Sequence, residues 1–178
     1  MQFFVAILLV FVLAVPSMGE VPKDIKLEKV GHPLVKVTTP KGEIFLELFP
    51  EIAPKHVTSF LSLIKKGFYK GLTFHRVVPK FVIQGGCPKG DGTGGPGYTV
   101  DGEFSSRPHL KGTLAMARSS DPNSAGSQFY ICLETIPHLD NKYTVFGQVV
   151  KGHEIPEKIT MGDTMDITIL QDLPAQEK

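Results

Sequence analysis

Two cysteines among 178 residues cannot build a disulfide-dense scaffold or a four-cysteine zinc site, and the six histidines stand apart without HxxxH or comparable ligand spacing. Metal chemistry therefore has little footing, and none is expected. Charge of one sign is missing too: 19 Lys and Arg against 18 Asp and Glu leave a net +1, too little field to gather nucleic acid or an anionic membrane. No apolar run is long enough to cross a bilayer. The longest, Phe3 to Val15, is 13 residues and rises about 20 Å as a helix, against a hydrocarbon core of roughly 30 Å. What is present is an ordinary 42% of hydrophobic residues, enough for one globular domain and not two.

Residues 1–19 hold no Lys, Arg, Asp or Glu, and the apolar run closes on Pro16, Ser17, Met18 and Gly19. Small Ser17 and Gly19 suit the −3 and −1 positions of a signal peptidase site. The expectation is a cleaved signal over 1–19, a mature chain from Glu20 with no stable membrane span, and a location outside the cytoplasm: secreted, periplasmic or in the secretory-pathway lumen. No basic residue precedes the run, and an uncleaved N-terminal anchor is the alternative. A polar lead-in over 20–33 and a polar, frayed tail over 172–178 flank a domain at 34–171.

Leu34 to Thr39 and Glu43 to Phe49 read as two strands joined through Pro40-Lys41-Gly42, with Ile44, Leu46 and Leu48 alternating against Glu43 and Glu47. Pro54 opens a helix whose Val57, Phe60, Leu61 and Ile64 keep helical spacing until Gly67 ends it. Six more short apolar runs follow, at Leu72–Val78, Phe81–Gly85, Gly112–Ala117, Ser127–Leu133, Thr144–Val150 and Met165–Leu170, separated by Gly, Pro, Asn and Asp. Eight short strands with few helices favour a mainly β chain closed into an antiparallel barrel, because closure removes unpaired edges; a sandwich is the alternative. A second helix over Lys151 to Gly162 is short, broken or begins at Pro156.

Several patterns offer chemistry that their context withholds. The glycine-rich stretch Lys89 to Gly97 lacks the GK[ST] ending of a phosphate loop, and Pro96-Gly97-Tyr98-Thr99-Val100 supplies no helix N-terminus, so it reads as a turn-rich structural loop. Cys87 and Cys132 sit in or beside apolar runs and are expected as buried free thiols. His56 and His75 have no nucleophile elbow or paired carboxylate to serve, which leaves hydrolysis unsupported.

One segment is different. Phe74 to Gly86 places a guanidinium, Arg76, and a primary amide, Gln84, on adjacent strands of an apolar hairpin. Strand alternation puts Val82 and Gln84 on one face, and later Gln128 and Tyr130 on one face with Phe129 and Ile131 on the other. One face offers donors and an aromatic wall while the other fills a core. On these residues alone, a binding groove competes with a surface-paired Arg and amides that merely tie down loops.

The same segments resemble the cyclophilins, peptidyl-prolyl cis-trans isomerases. FHRVVPKFVIQGG at 74–86, DGTGG at 91–95, GTLAMAR at 112–118, NSAGSQFYI at 123–131 and HLDNKYTVFGQV at 138–149 occur in that family's order and spacing, across roughly Leu34 to Leu170. The resemblance implies an eight-stranded barrel capped by one long and one short or broken helix, and a rotamase acting on X-Pro bonds of peptides and unfolded proteins; no cofactor is needed for that chemistry, and since nothing in the sequence demands a second subunit a monomer is expected. It implies Arg76 as the catalytic residue, and a substrate groove of Phe81, Val82, Gln84, Ala117, Arg118, Gln128, Tyr130, His138, Leu139 and Tyr143. Tyr130 stands where many members have Phe, Tyr143 where many have His, Val82 where Met is common, and Arg118 in place of a frequent Asn. The turn Ser119-Ser120-Asp121-Pro122 is one residue longer than in well-known cytosolic forms. His138 occupies the place of a Trp that contributes to cyclosporin binding, which implies weakened affinity for that ligand. A proline-peptide binding module or holdase without turnover is the rival reading, and a small-molecule carrier barrel a weaker one, since eight strands packed with Phe, Ile, Val and Leu leave little interior.

Overall fold

In the computed structural model, which describes residues 20–174, eight strands close into a single antiparallel barrel. They are β1 (Leu34–Thr39), β2 (Gly42–Leu48), β3 (Leu72–Val78), β4 (Val82–Gly85), β5 (Thr113–Met116), β6 (Phe129–Cys132), β7 (Val145–Lys151) and β8 (Thr164–Gln171). Around the barrel the order is β1-β2-β7-β5-β6-β4-β3-β8, so the consecutive pairs β1–β2, β3–β4 and β5–β6 are joined by pairings between strands that are not consecutive in the chain. Closure leaves no unpaired edge, as the strand count implied. The expected signal over 1–19 and the end of the tail, 175–178, lie outside the described residues.

The helix α1 (Pro54–Lys65) starts where proline suits the first helical position and buries Val57, Phe60, Leu61, Leu63 and Ile64. Its N-cap residue, Ala53, has no side chain to cap with. The carboxylate of Glu103 does so from a distant loop, accepting the Lys55 and His56 backbone N–H groups at 3.0 Å each and the His56 ring at 2.6 Å. A negative charge there also meets the positive end of the helix dipole. The helix closes with Gly67 at φ 68°, a conformation only glycine adopts freely. The second helical element is one 3-10 turn that begins at Pro156, and another such turn, Pro137–Leu139, has no counterpart in the strand pattern.

Alternation sorts the side chains into an inner and an outer set. Ile44, Leu46 and Leu48 of β2, Ile83 of β4, Leu114 and Met116 of β5 and Phe129 and Ile131 of β6 point inward, into one core that includes Phe60 of α1. Phe60 meets Phe129 and Phe146 edge-on, with ring centroids 5.6 and 5.2 Å apart. Each large side chain so buried contributes about 1.5 to 3 kcal/mol. The filled interior has no use for a cargo, which removes the carrier-barrel reading. Outside the barrel, a second apolar cluster forms from Val82, Ala115, Tyr130, Cys132, Ile136 and Val145.

Glu47 departs from the simple alternation. It does point away from the interior, yet it is 0% exposed, because the lead-in folds over it. Its carboxylate accepts the backbone N–H groups of Glu28 and Lys29 and lies 2.7 Å from the His32 ring. Arg107 pairs with Glu28 through its two terminal guanidinium nitrogens and stacks over Phe49 at 4.0 Å, clamping the lead-in from outside. The polar lead-in is therefore ordered structure. The start of the tail is likewise tied, by a 2.6 Å Lys65–Asp172 pair. Cys87 and Cys132 are buried free thiols, and burial pushes the Cys132 thiol up to about 12.

Candidate functional site

The outer apolar cluster is the floor of a cavity of about 250 Å³. Its position follows from register. Arg76 faces Gln84 across β3 and β4, Gln84 faces Tyr130 across β4 and β6, and Tyr130 faces Ala115 across β6 and β5. One row of paired residues thus crosses four strands on the outer face, and its side chains share one surface. Val82 joins them from two residues along β4, as alternation requires.

Arg76 reaches this row through a β-bulge. The pairing steps from Phe74↔Gly85 to Arg76↔Gln84, which leaves His75 as the extra residue. The bulge lets Phe74 stay in the core while Arg76 points outward two residues later along the strand. His75 packs its ring where a Cβ on Gly92 would lie 3.5 Å away, and burial pushes its pKa down.

The lining is Arg76, Phe81, Val82, Gln84, Ala117, Arg118, Tyr130, Leu139 and Tyr143. All of these were expected from the sequence. Two of the expected residues stand apart. Gln128 lines an adjoining cavity of about 330 Å³ with the glycine-rich loop, and His138 lies on the rim, stacked on Phe81 at 5.9 Å between centroids and 3° between planes.

Polar groups on this surface form a directed chain. Arg76 Nη1 donates to Gln84 Oε1 at 3.4 Å, Gln84 Nε2 donates to Gln128 Oε1 at 3.0 Å, and Gln128 Nε2 donates to the carbonyls of Gly92 and Gly94 at 2.8 and 2.9 Å. Each amide's orientation is set by its neighbour, ending on fixed backbone acceptors. The Arg76 guanidinium also lies 5.7 Å from the Phe81 ring centroid while remaining exposed, so its other N–H donors are open to a ligand. The glycine-rich loop binds no anion through these carbonyls; it anchors Gln128 and walls the adjoining cavity.

Arg118 takes another part. Its Nε and Nη2 donate to the Lys142 carbonyl at 3.1 and 2.8 Å, its Nη1 donates to Ser119 O and Ser120 O, and its guanidinium lies 4.6 Å from the Tyr143 ring. It joins the long Ser119–Pro122 turn to the turn bearing Tyr143, which in turn meets Tyr130 edge-on at 6.0 Å. Two further residues went unassigned at the sequence level: His109 stands behind Tyr130, its Nε2 bonded to the Tyr130 hydroxyl and its Nδ1 to Asp140. His109 lies outside the quoted motifs and Asp140 inside the 138–149 segment without an assigned role, and only contact across 31 residues reveals the pair. Among the described residues, no three His, Cys, Asp or Glu converge to hold a metal, and no helix is long and apolar enough to cross a membrane.

An exposed guanidinium beside a partly apolar cavity of about 250 Å³ can bind a chain segment and donate hydrogen bonds at a chosen atom. Comparison with known proteins agrees. Residues 34–176 match the family model described as cyclophilin type peptidyl-prolyl cis-trans isomerase/CLD. A peptidyl-prolyl cis-trans isomerase of Helicobacter pylori is 43% identical over 151 residues, covering 83% of this chain and 91% of that protein. Peptidyl-prolyl cis-trans isomerase B of Bacillus subtilis is 50% identical over 126 residues, covering 70% and 87%. Among solved structures, a cyclophilin type isomerase of Cryptosporidium parvum, determined in the presence of the dipeptide Ala-Pro, superimposes with TM-score 0.71 at 33% identity, covering 78% of this chain and 99% of its own.

Proposed function

The chain belongs to the cyclophilin type peptidyl-prolyl cis-trans isomerase family, and from that premise we propose how its own residues turn an X-Pro bond. The activity is rotation about the peptidyl-prolyl amide, and proline-containing peptides are its substrates. The proline ring enters the 250 Å³ cavity, against Phe81, Val82, Tyr130 and Leu139. The Ala-Pro dipeptide of the Cryptosporidium structure supports that class of ligand.

Rotation must break amide resonance, a barrier of about 18 to 20 kcal/mol. No covalent bond needs to break. As the amide twists, the proline nitrogen regains its lone pair and becomes a hydrogen-bond acceptor, which neither planar isomer offers. Arg76 at the cavity mouth donates to that nitrogen and so binds the twisted state more tightly than either ground state. A guanidinium suits this because it is always charged and its N–H groups are fixed in a plane. Gln84 steadies it, and the apolar walls exclude water and strengthen the contact.

The observation that carries this reading is the exposed Arg76 guanidinium, held by Gln84 at the rim of an apolar cavity. The test is the cis-trans exchange rate of a short X-Pro peptide measured by NMR with and without the protein. Accelerated exchange supports turnover; peptide binding without acceleration would leave a binding module or holdase.

The clients are exported, unfolded chains in this proposal, with residues 1–19 removed before Glu20. Intact-mass analysis of secreted protein supports it if the mass begins at Glu20 and opposes it if Met1 to Gly19 are retained. Cyclosporin would use the same surface, weakly, because His138 offers an imidazole stacked on Phe81.

A further inference from the structure

Behind the cavity floor lies a side chain that the reaction scheme does not use. His109 is 0% exposed, yet every polar group it has is engaged. Its Nε2 is 3.1 Å from the Tyr130 hydroxyl and its Nδ1 is 2.9 Å from Asp140 Oδ1, with the His109 and Tyr130 rings nearly parallel. Its backbone N–H donates to the same Asp140 oxygen at 2.7 Å, and its carbonyl accepts the Ile136 N–H at 2.7 Å.

Three of those four bonds end on residues 136 and 140, the two ends of the short turn that carries His138 and Leu139 on the cavity rim. The turn's own backbone bonds are local, Leu139 N–H to Ile136 O and Asp140 N–H to Pro137 O, and cannot fix it relative to the barrel. The fourth bond reaches the floor. One buried residue therefore spans the floor, at Tyr130, and the rim, at Leu139.

The hydrogen-bond directions follow from the donor inventory. The backbone N–H and ring of His109 hold the Asp140 carboxyl below the usual carboxylate range, so it is an acceptor only and Nδ1 carries the proton. In the neutral ring, Nε2 then accepts from the Tyr130 O–H. A Phe, frequent at this place in the family the sequence resembles, would leave Nε2 without its partner in a buried site, at a cost in stability.

We infer that His109 is a positioning residue of the isomerase site, setting the separation between the Tyr130 floor and the Leu139 rim through Asp140 and the Tyr130 hydroxyl. This rests on the reading of that cavity as the proline pocket. His109 lies behind the ring and touches no reacting atom. Floor and rim grip the proline in planar and twisted states alike, so slackening them weakens binding uniformly and raises KM while leaving kcat almost unchanged.

The experiment measures kcat and KM for an Ala-Pro peptide by NMR exchange, in the parent chain and in His109→Ala, Asp140→Ala, His109→Asn, Tyr130→Phe and the His109→Ala/Tyr130→Phe double variant. Circular dichroism and melting establish that each is folded; Asp140 is partly exposed, so its substitution leaves the core side chains in place and tests the same link if the His109 core substitution does not fold. His109→Ala and Asp140→Ala should raise KM about fivefold with kcat within about twofold. His109→Asn, which keeps a donor for Asp140, should recover part of the loss. Tyr130→Phe should add little on top of His109→Ala, since both remove the same bond. Folded variants with parental KM, or a fall in kcat alone, the signature of a smaller folded fraction, would overturn the inference. If the parent itself catalysed no exchange, the pocket assignment would fall first and take this inference with it; parental turnover with unchanged KM in the variants sinks the inference alone.

Discussion

Arg76 faces Gln84 directly across the β3–β4 pairing, and its Nη1 donates to the Gln84 amide oxygen at 3.4 Å. At that length the bond is weak, enough to bias the guanidinium without holding it away from a ligand. Because Gln84 is itself fixed through Gln128 to the Gly92 and Gly94 carbonyls, the bias is transmitted from rigid backbone.

Gln84→Leu should therefore lower kcat by about three- to tenfold, less than loss of Arg76 itself, because the guanidinium remains but is no longer aimed. Gln84→Glu should also slow the reaction, since a carboxylate would draw the guanidinium into an ion pair. Steady-state NMR exchange rates decide; a Gln84→Leu protein with parental kcat would remove Gln84 from the account.

Acid should weaken the fold in two steps. Burial pushes the His56 pKa down, with the Glu103 carboxylate opposing but not prevailing, and burial does the same to His75. Below the ordinary imidazole range the unfolded chain binds protons that the folded chain refuses, so stability falls as pH drops from about 7 toward their lowered values. A second loss follows at lower pH. The carboxyls of Asp140, Asp91 and Asp163 are held below their ordinary range chiefly by backbone N–H groups, so their contribution is present above about pH 4 and disappears as pH falls through the folded values. Urea midpoints against pH should show both steps, and His56→Gln should shrink the first. A midpoint unchanged between pH 7 and 5 would contradict this.

Cyclosporin binding should tighten in His138→Trp, because an indole adds apolar area and an N–H donor at a rim position now held by an imidazole stacked on Phe81. Inhibition of peptide turnover gives the readout. If the substitution leaves inhibition unchanged, His138 does not stand where the ligand binds.

Much of this was legible in the sequence because strand alternation and turn residues are local. All eight strands lie within one to two residues of the expected bounds, and α1 begins at the expected proline. That Val82 shares a face with Gln84, and Gln128 with Tyr130, was readable from period two; that the two strands lie side by side needed the β4–β6 pairing. What was not readable depends on contacts between distant segments. Glu47 looked like an ordinary outward strand residue, and only the lead-in folding across it makes it buried. The bulge at His75 needs the partner strand to define it. The pairing of His109 with Asp140 had no local signal, since their bonds join a loop before β5 to a turn after β6. The helix cap at Glu103 escaped for the same reason: it comes from 47 residues away.

Arg76, in this mechanism, acts on the twisted amide and not on the planar peptide. The most direct test is Arg76→Ala, with exchange rate and peptide affinity measured by NMR on the same folded sample. A charge-assisted hydrogen bond in a dry site contributes on the order of 2 to 4 kcal/mol, so the rate should fall roughly 30- to 1000-fold while the dissociation constant of an Ala-Pro peptide changes by less than about threefold. A folded Arg76→Ala protein that kept full turnover, or lost affinity in proportion to rate, would contradict the account.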